Sequence, residues 1–368
     1  MSERPLSAVV LAAGEGTRMR STRPKPLHLL CGRPMVMHVI DALGELPIER
    51  VVAVVGHGAE RVTKALQELA SPELILDFVE QHVQRGTGDA VAVALTGFPE
   101  DDDADDGDIV VLPGDTPLLR PATLAALVRT HRAADAAATI LTARIEDPTG
   151  YGRIVRDKGD RVARIVEHAD ADDKERQIDE VNTSIYCFRR SVLAPSLRRL
   201  SPENAQGEYY LTDVIEVLHD AGYPVVSMVV SDPMEAAGVN DRAQLAIAEA
   251  ELRDRTNERW MRRGVTMLDP ERTYIDASVE LASDVTLFPG AILQGVTKVG
   301  AGAEIGPNTR LVDCIVGDGA VIENSVCRQA EIGADARVGP FAFIAPGAQL
   351  PAGTVTGPFY STGVETGE

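Results

Sequence analysis

Through about residue 240, short runs of aliphatic and β-branched residues alternate with stretches whose apolar positions recur at helical spacing. Ala8-Val9-Val10-Leu11 reads as a buried strand opening into a glycine loop, and Met35 to Leu46 has a helical pattern. Val51–Val55, Leu74–Val79, Ile109–Leu112 and Ala138–Ile145 read as further strands. This alternation predicts a mostly parallel sheet covered by helices on both faces. Ligands of such sheets sit beyond the carboxyl ends of the strands. The loops Leu11–Thr17 and Pro113-Gly114-Asp115 would both fall there.

Asp241 to Arg263 forms one long helical pattern rich in Ala, Leu, Glu and Arg, and Gly264 stands as its C-cap. Arg259, Arg262 and Arg263 suit the negative end of its dipole. Beyond it the apolar period becomes six. Val279, Val285 and Ala291 share one frame; Val299, Ile305 and Leu311 a second; Val316 and Ile322 a third; Ile332, Val338, Ile344 and Leu350 a fourth. Glycine follows the aliphatic residue at Gly300, Gly306, Gly317, Gly333 and Gly339. A sustained period of six predicts a parallel β-helix in which each coil stacks on the last. From Pro351 to Glu368 the period is no longer kept, which reads either as a cap or as an abandoned coil.

Composition narrows the function. The net charge of −20 opposes a nucleic-acid footprint, though local cations and backbone amides can still hold a nucleotide. Asp101, Asp102, Asp103, Asp105, Asp106 and Asp108 read as one solvated loop. Cys31, Cys187, Cys314 and Cys327 are scattered and form no C-x-x-C pair, which suggests neither a zinc site nor a disulfide framework. No leader or membrane-length apolar run is found, so a cytoplasmic protein is expected.

Leu11-Ala12-Ala13-Gly14-Glu15-Gly16-Thr17-Arg18-Met19, with Pro24-Lys25 beyond, follows a strand as a phosphate-binding loop should. Met19 occupies the third glycine position of the dinucleotide fingerprint, and no Gly-Lys-Ser/Thr ends a Walker loop. Gly14 and Gly16 would let the backbone approach a phosphate, while Arg18 and Lys25 would neutralise it. A plain strand-to-helix turn with a surface Arg and Lys is the bland reading of the same residues.

This stretch resembles the signature of sugar nucleotidyltransferases, and more closely the bifunctional N-acetylglucosamine-1-phosphate uridyltransferase/glucosamine-1-phosphate acetyltransferase family. The resemblance continues through Gln81 with Gly86-Thr87-Gly88, Gly114-Asp115, Asp147–Ile154, Ile165–His168, Glu180-Val181-Asn182, Asn204–Asp213 and Gly238-Val239-Asn240. It implies an α/β fold: a Rossmann-like nucleotidyltransferase domain with a mixed, mostly parallel sheet (residues 1–240), then a helical connector (241–264). A short left-handed parallel β-helix of hexapeptide repeats follows (265–368). It also implies that Leu11, Ala12, Ala13, Gly14, Gln81, Gly86 and Thr87 hold the uridine nucleotide, and that Gly114 and Asn240 contact substrate. Arg18 and Lys25 would bind its phosphates, Asp115 and Asn240 a Mg²⁺ ion, and Gly152, Glu167 and Asn182 the acetylated sugar. Residue chemistry is compatible: Gln81 can donate to and accept from a uracil edge, and Asp115 is a hard oxygen ligand.

The implied reaction joins UTP to N-acetylglucosamine 1-phosphate and releases pyrophosphate. The attacking phosphate oxygen is already ionised, so positioning and charge neutralisation suffice without a general base. Four departures stand out. Asp89 replaces the family's usual His, and Pro113 precedes Gly114-Asp115 where Tyr or Ser is usual. Ala345-Pro346-Gly347 replaces an Arg-Pro-Gly, and the later β-helix elements of the family have no counterpart before Glu368. Acetyl transfer is therefore expected to be absent, with the β-helix serving assembly, as a trimer in the family's manner. Transfer of another nucleotide or sugar is a second reading. A non-catalytic nucleotide-binding subunit is a third, weakened because Lys25, Asp115 and Asn240 are all present.

Overall fold

The computed structural model describes residues 4–98 and 107–363. Two compact units emerge: Met1–His28 with Pro34–Leu245, and Leu29–Arg33 with Ala246–Glu368. The first half of the chain runs β1 (Leu6–Ala12), β2 (Leu29–Leu30), β3 (Arg33–Pro34), α1 (Met35–Asp41), β4 (Ile48–Val55), α2 (Ala59–Leu69), β5 (Leu76–Glu80), α3 (Thr87–Leu95) and β6 (Asp108–Pro113). It continues with α4 (Pro121–Ala133), β7 (Ala138–Arg144), β8 (Arg153–Arg156), β9 (Val162–Val166), β10 (Glu180–Arg189), α5 (Arg190–Leu197), α6 (Asp213–Asp220), β11 (Val225–Val229) and α7 (Arg242–Arg262).

The central sheet of the first unit has the order β11-β7-β10-β6-β1-β4-β5, and the β8–β9 hairpin attaches through β10. Only β10 runs antiparallel to its neighbours β6 and β7 along that path. β1 explains why such a sheet forms: Ala8, Val9 and Val10 are all fully buried, because helices cover both faces. Ala8 and Val10 belong to one core and Val9 to the other. β1, β6, β4 and β5 are mutually parallel. Their carboxyl ends, at Ala12, Pro113, Val55 and Glu80, therefore share one rim.

One acidic residue corrects the sequence reading. Asp101–Asp106 lie outside the described residues, but Asp108 opens β6 and is 1% exposed. Arg4 Nε and Arg132 Nε approach its carboxylate at 3.2 and 2.9 Å. Burial acts to raise its pKa, yet the contacts with His131 and Arg132 outweigh it and hold the carboxyl below its ordinary range. Asp108 anchors the start of β6, an interior strand, and is not part of a solvated loop.

The second unit is a left-handed parallel β-helix with three five-stranded parallel sheets, one strand of each per coil. Leu287, Ile305, Ile322 and Val338 stack in one sheet. Leu293, Leu311, Cys327 and Ile344 stack in the second, and Leu281, Val299, Val316, Ile332 and Leu350 in the third. The frame holding Val299, Ile305 and Leu311 thus begins earlier, at Leu281, Leu287 and Leu293. Val279, Val285 and Ala291 belong to a second buried ladder two residues ahead of it, continued by Thr297, Ala303 and Thr309. The two sequence frames are interleaved rather than successive.

The coil also outlasts the aliphatic pattern. Arg337 N donates to Thr354 O, Phe343 N to Tyr360 O, and Thr362 N to Phe343 O. Thr356 and Thr362 follow Leu350 at intervals of six, and their hydroxyls accept from Gly339 N and Ala345 N. The period therefore persists beyond Pro351 with threonine in the aliphatic slot. Gly264 has φ 92°, and Val265 N returns to Trp260 O at 3.1 Å, closing α7 as a glycine C-cap does.

Candidate functional site

A cavity of about 450 Å³ opens at the rim where β1, β5 and β6 end. Leu11, Ala12, Ala13, Gly14, Lys25, Gln81, Gly86, Thr87, Gly114, Asp115, Asn182 and Asn240 all line it. Loop geometry explains the gathering. Gly114 N donates to Leu11 O at 2.8 Å, which fastens the β6 turn against β1. Val239 N donates to Asp115 O at 2.8 Å, bringing the Gly238–Asn240 segment to that same turn. Gln84 Nε2 donates to Ala13 O at 2.7 Å and steadies the glycine loop.

The two loop glycines serve different ends. A Cβ on Gly14 would meet nothing within 4 Å, so that backbone faces open space. Gly16 has φ 63°, and a Cβ there would lie 2.5 Å from Lys25 Cβ. Gly16 thus permits the close packing that sets Lys25, whereas Gly14 leaves room for a ligand.

Lys25 Nζ lies 2.5 Å from Asp115 Oδ2 and 2.9 Å from Asn240 Oδ1. Arg18 does not line the cavity, but its Nη2 donates to Asn240 Oδ1 at 2.9 Å. Two oxygens and two cations from four separate segments thus meet at one point. Asn240 is held in turn by its backbone N–H, which donates to Gln244 Oε1 at 2.7 Å.

A second group adjoins the cavity. Asn182 N donates to Gly152 O at 2.8 Å, and a Cβ on Gly152 would sit 3.4 Å from Glu167 Oε2. Glu167 Oε1 accepts from Thr212 Oγ1 at 3.0 Å. Burial raises the Glu167 pKa above its ordinary value despite that hydrogen bond, and Asp213 and Asp170 add to the effect. Asn182 occupies an irregularity in β10: its Nδ2 donates to Tyr186 Oη, and its Oδ1 accepts from Ser184 N, a residue with φ 61°. One N–H and one lone pair of that amide remain for a ligand.

The Asn204–Asp213 stretch works as a brace. Tyr209 N donates to Arg85 O, Gly88 N to Tyr209 O and Leu211 N to Thr87 Oγ1, at 2.8 to 3.0 Å. With the Thr212 contact to Glu167, it ties the start of α3 to the second group. Gln81 differs from expectation. Its Nε2 already donates to Asp89 Oδ2 at 2.8 Å and Gly86 O at 3.2 Å, leaving Oε1 as its ligand-facing atom. The Asp89 charge is met by Arg85 at 2.8 Å. Gln84, Thr116, Tyr151 and Ser184 also line the cavity and were not singled out for it by sequence. Tyr151 lay within the Asp147–Ile154 stretch of the resemblance, and Gln84 stands three residues after Gln81 on the same connecting loop.

The nucleotidyl transferase family model matches residues 7–260. Bifunctional protein GlmU of Heliobacterium modesticaldum is 44% identical over 353 residues, covering 96% of this chain and 75% of that protein. Bifunctional protein GlmU of Streptomyces avermitilis is 47% identical, covering 98% of this chain and 73% of the relative. The chain belongs to the GlmU family. Its enzyme class is accordingly nucleotidyltransferase, and nucleotidyltransferases of the GlmU family depend on a divalent metal. Its GlmU relative in Streptomyces coelicolor is 48% identical over 94% of this chain and 71% of that protein. No helix among the described residues is long and apolar enough to cross a membrane.

Proposed function

We propose that the first unit transfers a uridylyl group from UTP to N-acetylglucosamine 1-phosphate and releases pyrophosphate. The convergence of Lys25, Arg18, Asp115 and Asn240 beside the Leu11–Gly14 loop carries this reading. Leu11, Ala12, Ala13, Gly14, Gln81, Gly86, Thr87 and Gly114 hold the nucleotide, and Gly152, Glu167 and Asn182 the acetylated sugar. Glu167 can accept from sugar hydroxyls, and the free N–H of Asn182 can donate.

The Asp115 and Asn240 oxygens suit a Mg²⁺ ion, because both already lie within 2.9 Å of one cationic atom. Mg²⁺ commonly takes only one or two protein oxygens and completes its shell with water and phosphate. Among the described residues no cluster of three His, Cys, Asp or Glu offers a rival site. When bound, the ion neutralises triphosphate charge. Lys25 and Arg18 supply fixed positive charge beside those same oxygens. They favour the transition state as charge moves onto the departing pyrophosphate. A bond forms from the sugar-phosphate oxygen to the α-phosphorus, and the bond from that phosphorus to the α,β-bridging oxygen breaks. The attacking oxygen arrives ionised, so no side chain need remove a proton.

Pyrophosphate release from a panel of nucleotides and sugar 1-phosphates, with and without Mg²⁺, tests the reading. UTP with N-acetylglucosamine 1-phosphate should be the preferred pair and should require the ion. Preference for another pair would support transfer to a different sugar or from a different nucleotide. Turnover of no pair would return the non-catalytic subunit.

Acetyl transfer is absent in this reading, because Ala345 brings only a methyl group to the corner where the family carries arginine. Thiol release from acetyl-CoA with glucosamine 1-phosphate above background would overturn that. The β-helix serves homo-oligomeric assembly, a trimer being favoured. Phe341 and Phe359, stacked at 5.3 Å and largely exposed, supply apolar surface for it. A monomer by light scattering would contradict this. Four free, buried cysteines support a reducing cytoplasmic setting.

A further inference from the structure

Asp89 departs from the pattern the rest of its loop keeps, and its surroundings suggest what the change does. It lies in the first turn of α3 with its side chain 11% exposed. Asp89 Oδ1 accepts from Arg85 Nη2 and Oδ2 from Gln81 Nε2, both at 2.8 Å. The other partner of Gln81 Nε2 is the carbonyl of Gly86. A carboxylate and a carbonyl can only accept, so the amide nitrogen of Gln81 must face them both. Flipping the amide would set its oxygen against two acceptors. Oε1 therefore points the other way. Among the described residues no donor is bonded to it, it is not among the buried atoms lacking a partner, and Gln81 lines the cavity.

We propose that Asp89 is a positioning residue for nucleotide selection. It locks the Gln81 amide so that the pocket offers an acceptor to the base. Such a pocket takes a pyrimidine whose N3 carries a hydrogen and disfavours one whose N3 is itself an acceptor. A histidine at this position could donate or accept according to tautomer, but a carboxylate fixes the polarity in one sense. The bland alternative is that Asp89 only favours the N-terminus of α3 through the helix dipole. That role would change stability and leave base choice untouched.

The proposal rests on Gln81 reading the base, so the test separates the two. kcat/KM is measured with UTP and with CTP for the intact chain, Asp89→Asn and Gln81→Ala, with thermal melting as the folding check. An amide in place of the carboxylate can turn its Nδ2 towards Gln81, and only the longer contact with Gly86 O then opposes a flip, so Asp89→Asn should shrink the UTP:CTP ratio about tenfold or more. The loss should enter through KM more than kcat, because the base lies away from the reacting phosphorus. Gln81→Ala should shrink the same ratio. If Gln81→Ala does so and folded Asp89→Asn does not, the role of Asp89 is overturned and that of Gln81 stands. If neither does, Gln81 is not the base reader and both ideas fall. The unmodified protein gives an arm free of folding defects: N3-methyl-UTP, which lacks the N–H, should be used at least about tenfold less efficiently than UTP. Equal use of the two would also overturn the proposal.

Discussion

The two units bury their hydrophobic residues in opposite ways. In the β-helix each inward position has a counterpart one coil away, as Leu287, Ile305, Ile322 and Val338 show. Its core is a stack of near neighbours, and the inward slots hold aliphatic or small residues. In the α/β unit nothing repeats. Lys25 meets Asp115 across 90 residues of chain and Asn240 across 215. Regular burial leaves little room for chemistry. The candidate site arises where parallel strands stop together and their loops must be fastened to one another.

The largest effect that would sharpen this contrast lies in the α/β unit. Lys25→Ala should lower kcat/KM for pyrophosphate release about a hundredfold or more, the scale of removing one preorganised charge. Steady-state kinetics with a melting control reads it, and near wild-type turnover in a folded variant would remove Lys25 from the mechanism. In the β-helix, Leu311→Ala should destabilise that unit by about 2–5 kcal/mol, since Leu311 is fully buried between Leu293 and Cys327. Thermal unfolding should show the loss while nucleotidyl transfer at 25 °C changes little. A large fall in turnover would break the division of labour.

A smaller effect concerns the sugar. Gly152, Glu167 and Asn182 should favour N-acetylglucosamine 1-phosphate over glucose 1-phosphate by about tenfold or more, because buried polar groups lose partners without the acetamido group. Equal kcat/KM values would detach that cluster from recognition. The smallest effect is electrostatic. Burial raises the Asp213 carboxyl from 3.8 to about 6, and repulsion from Glu216 and Asp170 contributes. The folded state holds this proton more tightly. Its contribution to stability is therefore complete below pH 3.8, declines as pH rises towards 6, and is lost above that. Asp213→Asn should raise Tm by about 2 °C at pH 7.5 and by less at pH 4.5. Equal shifts at the two values would show that the carboxylate charge is not the cause.

Much of both units was legible in the chain, for different reasons. The runs Ala8–Leu11 and Ile109–Leu112 betray parallel strands because burial on both faces excludes polar residues. The period of six betrays the coil because each corner imposes the same slot. What escaped notice has physical causes too. The excursion of Leu29–Arg33 into the second unit has no periodic signal in so few residues. Thr356 and Thr362 kept the coil's register while changing its polarity, so a hydrophobic period could not see them. In the proposal above the polarity of Gln81 depends on Asp89 across the loop between β5 and α3, and an amide's orientation is set by partners rather than by spacing.

The most direct test of the central claim is a crystal structure of the intact chain with UDP-N-acetylglucosamine and Mg²⁺. The product should occupy the cavity at the ends of β1, β5 and β6. Its uracil should lie by Leu11–Gly14 and Gln81, its diphosphate should face Lys25 and Asp115, and its acetamido group should lie by Gly152, Glu167 and Asn182. Product bound elsewhere, or bound there with Lys25 and Asp115 untouched, would contradict the assignment of chemistry to this rim.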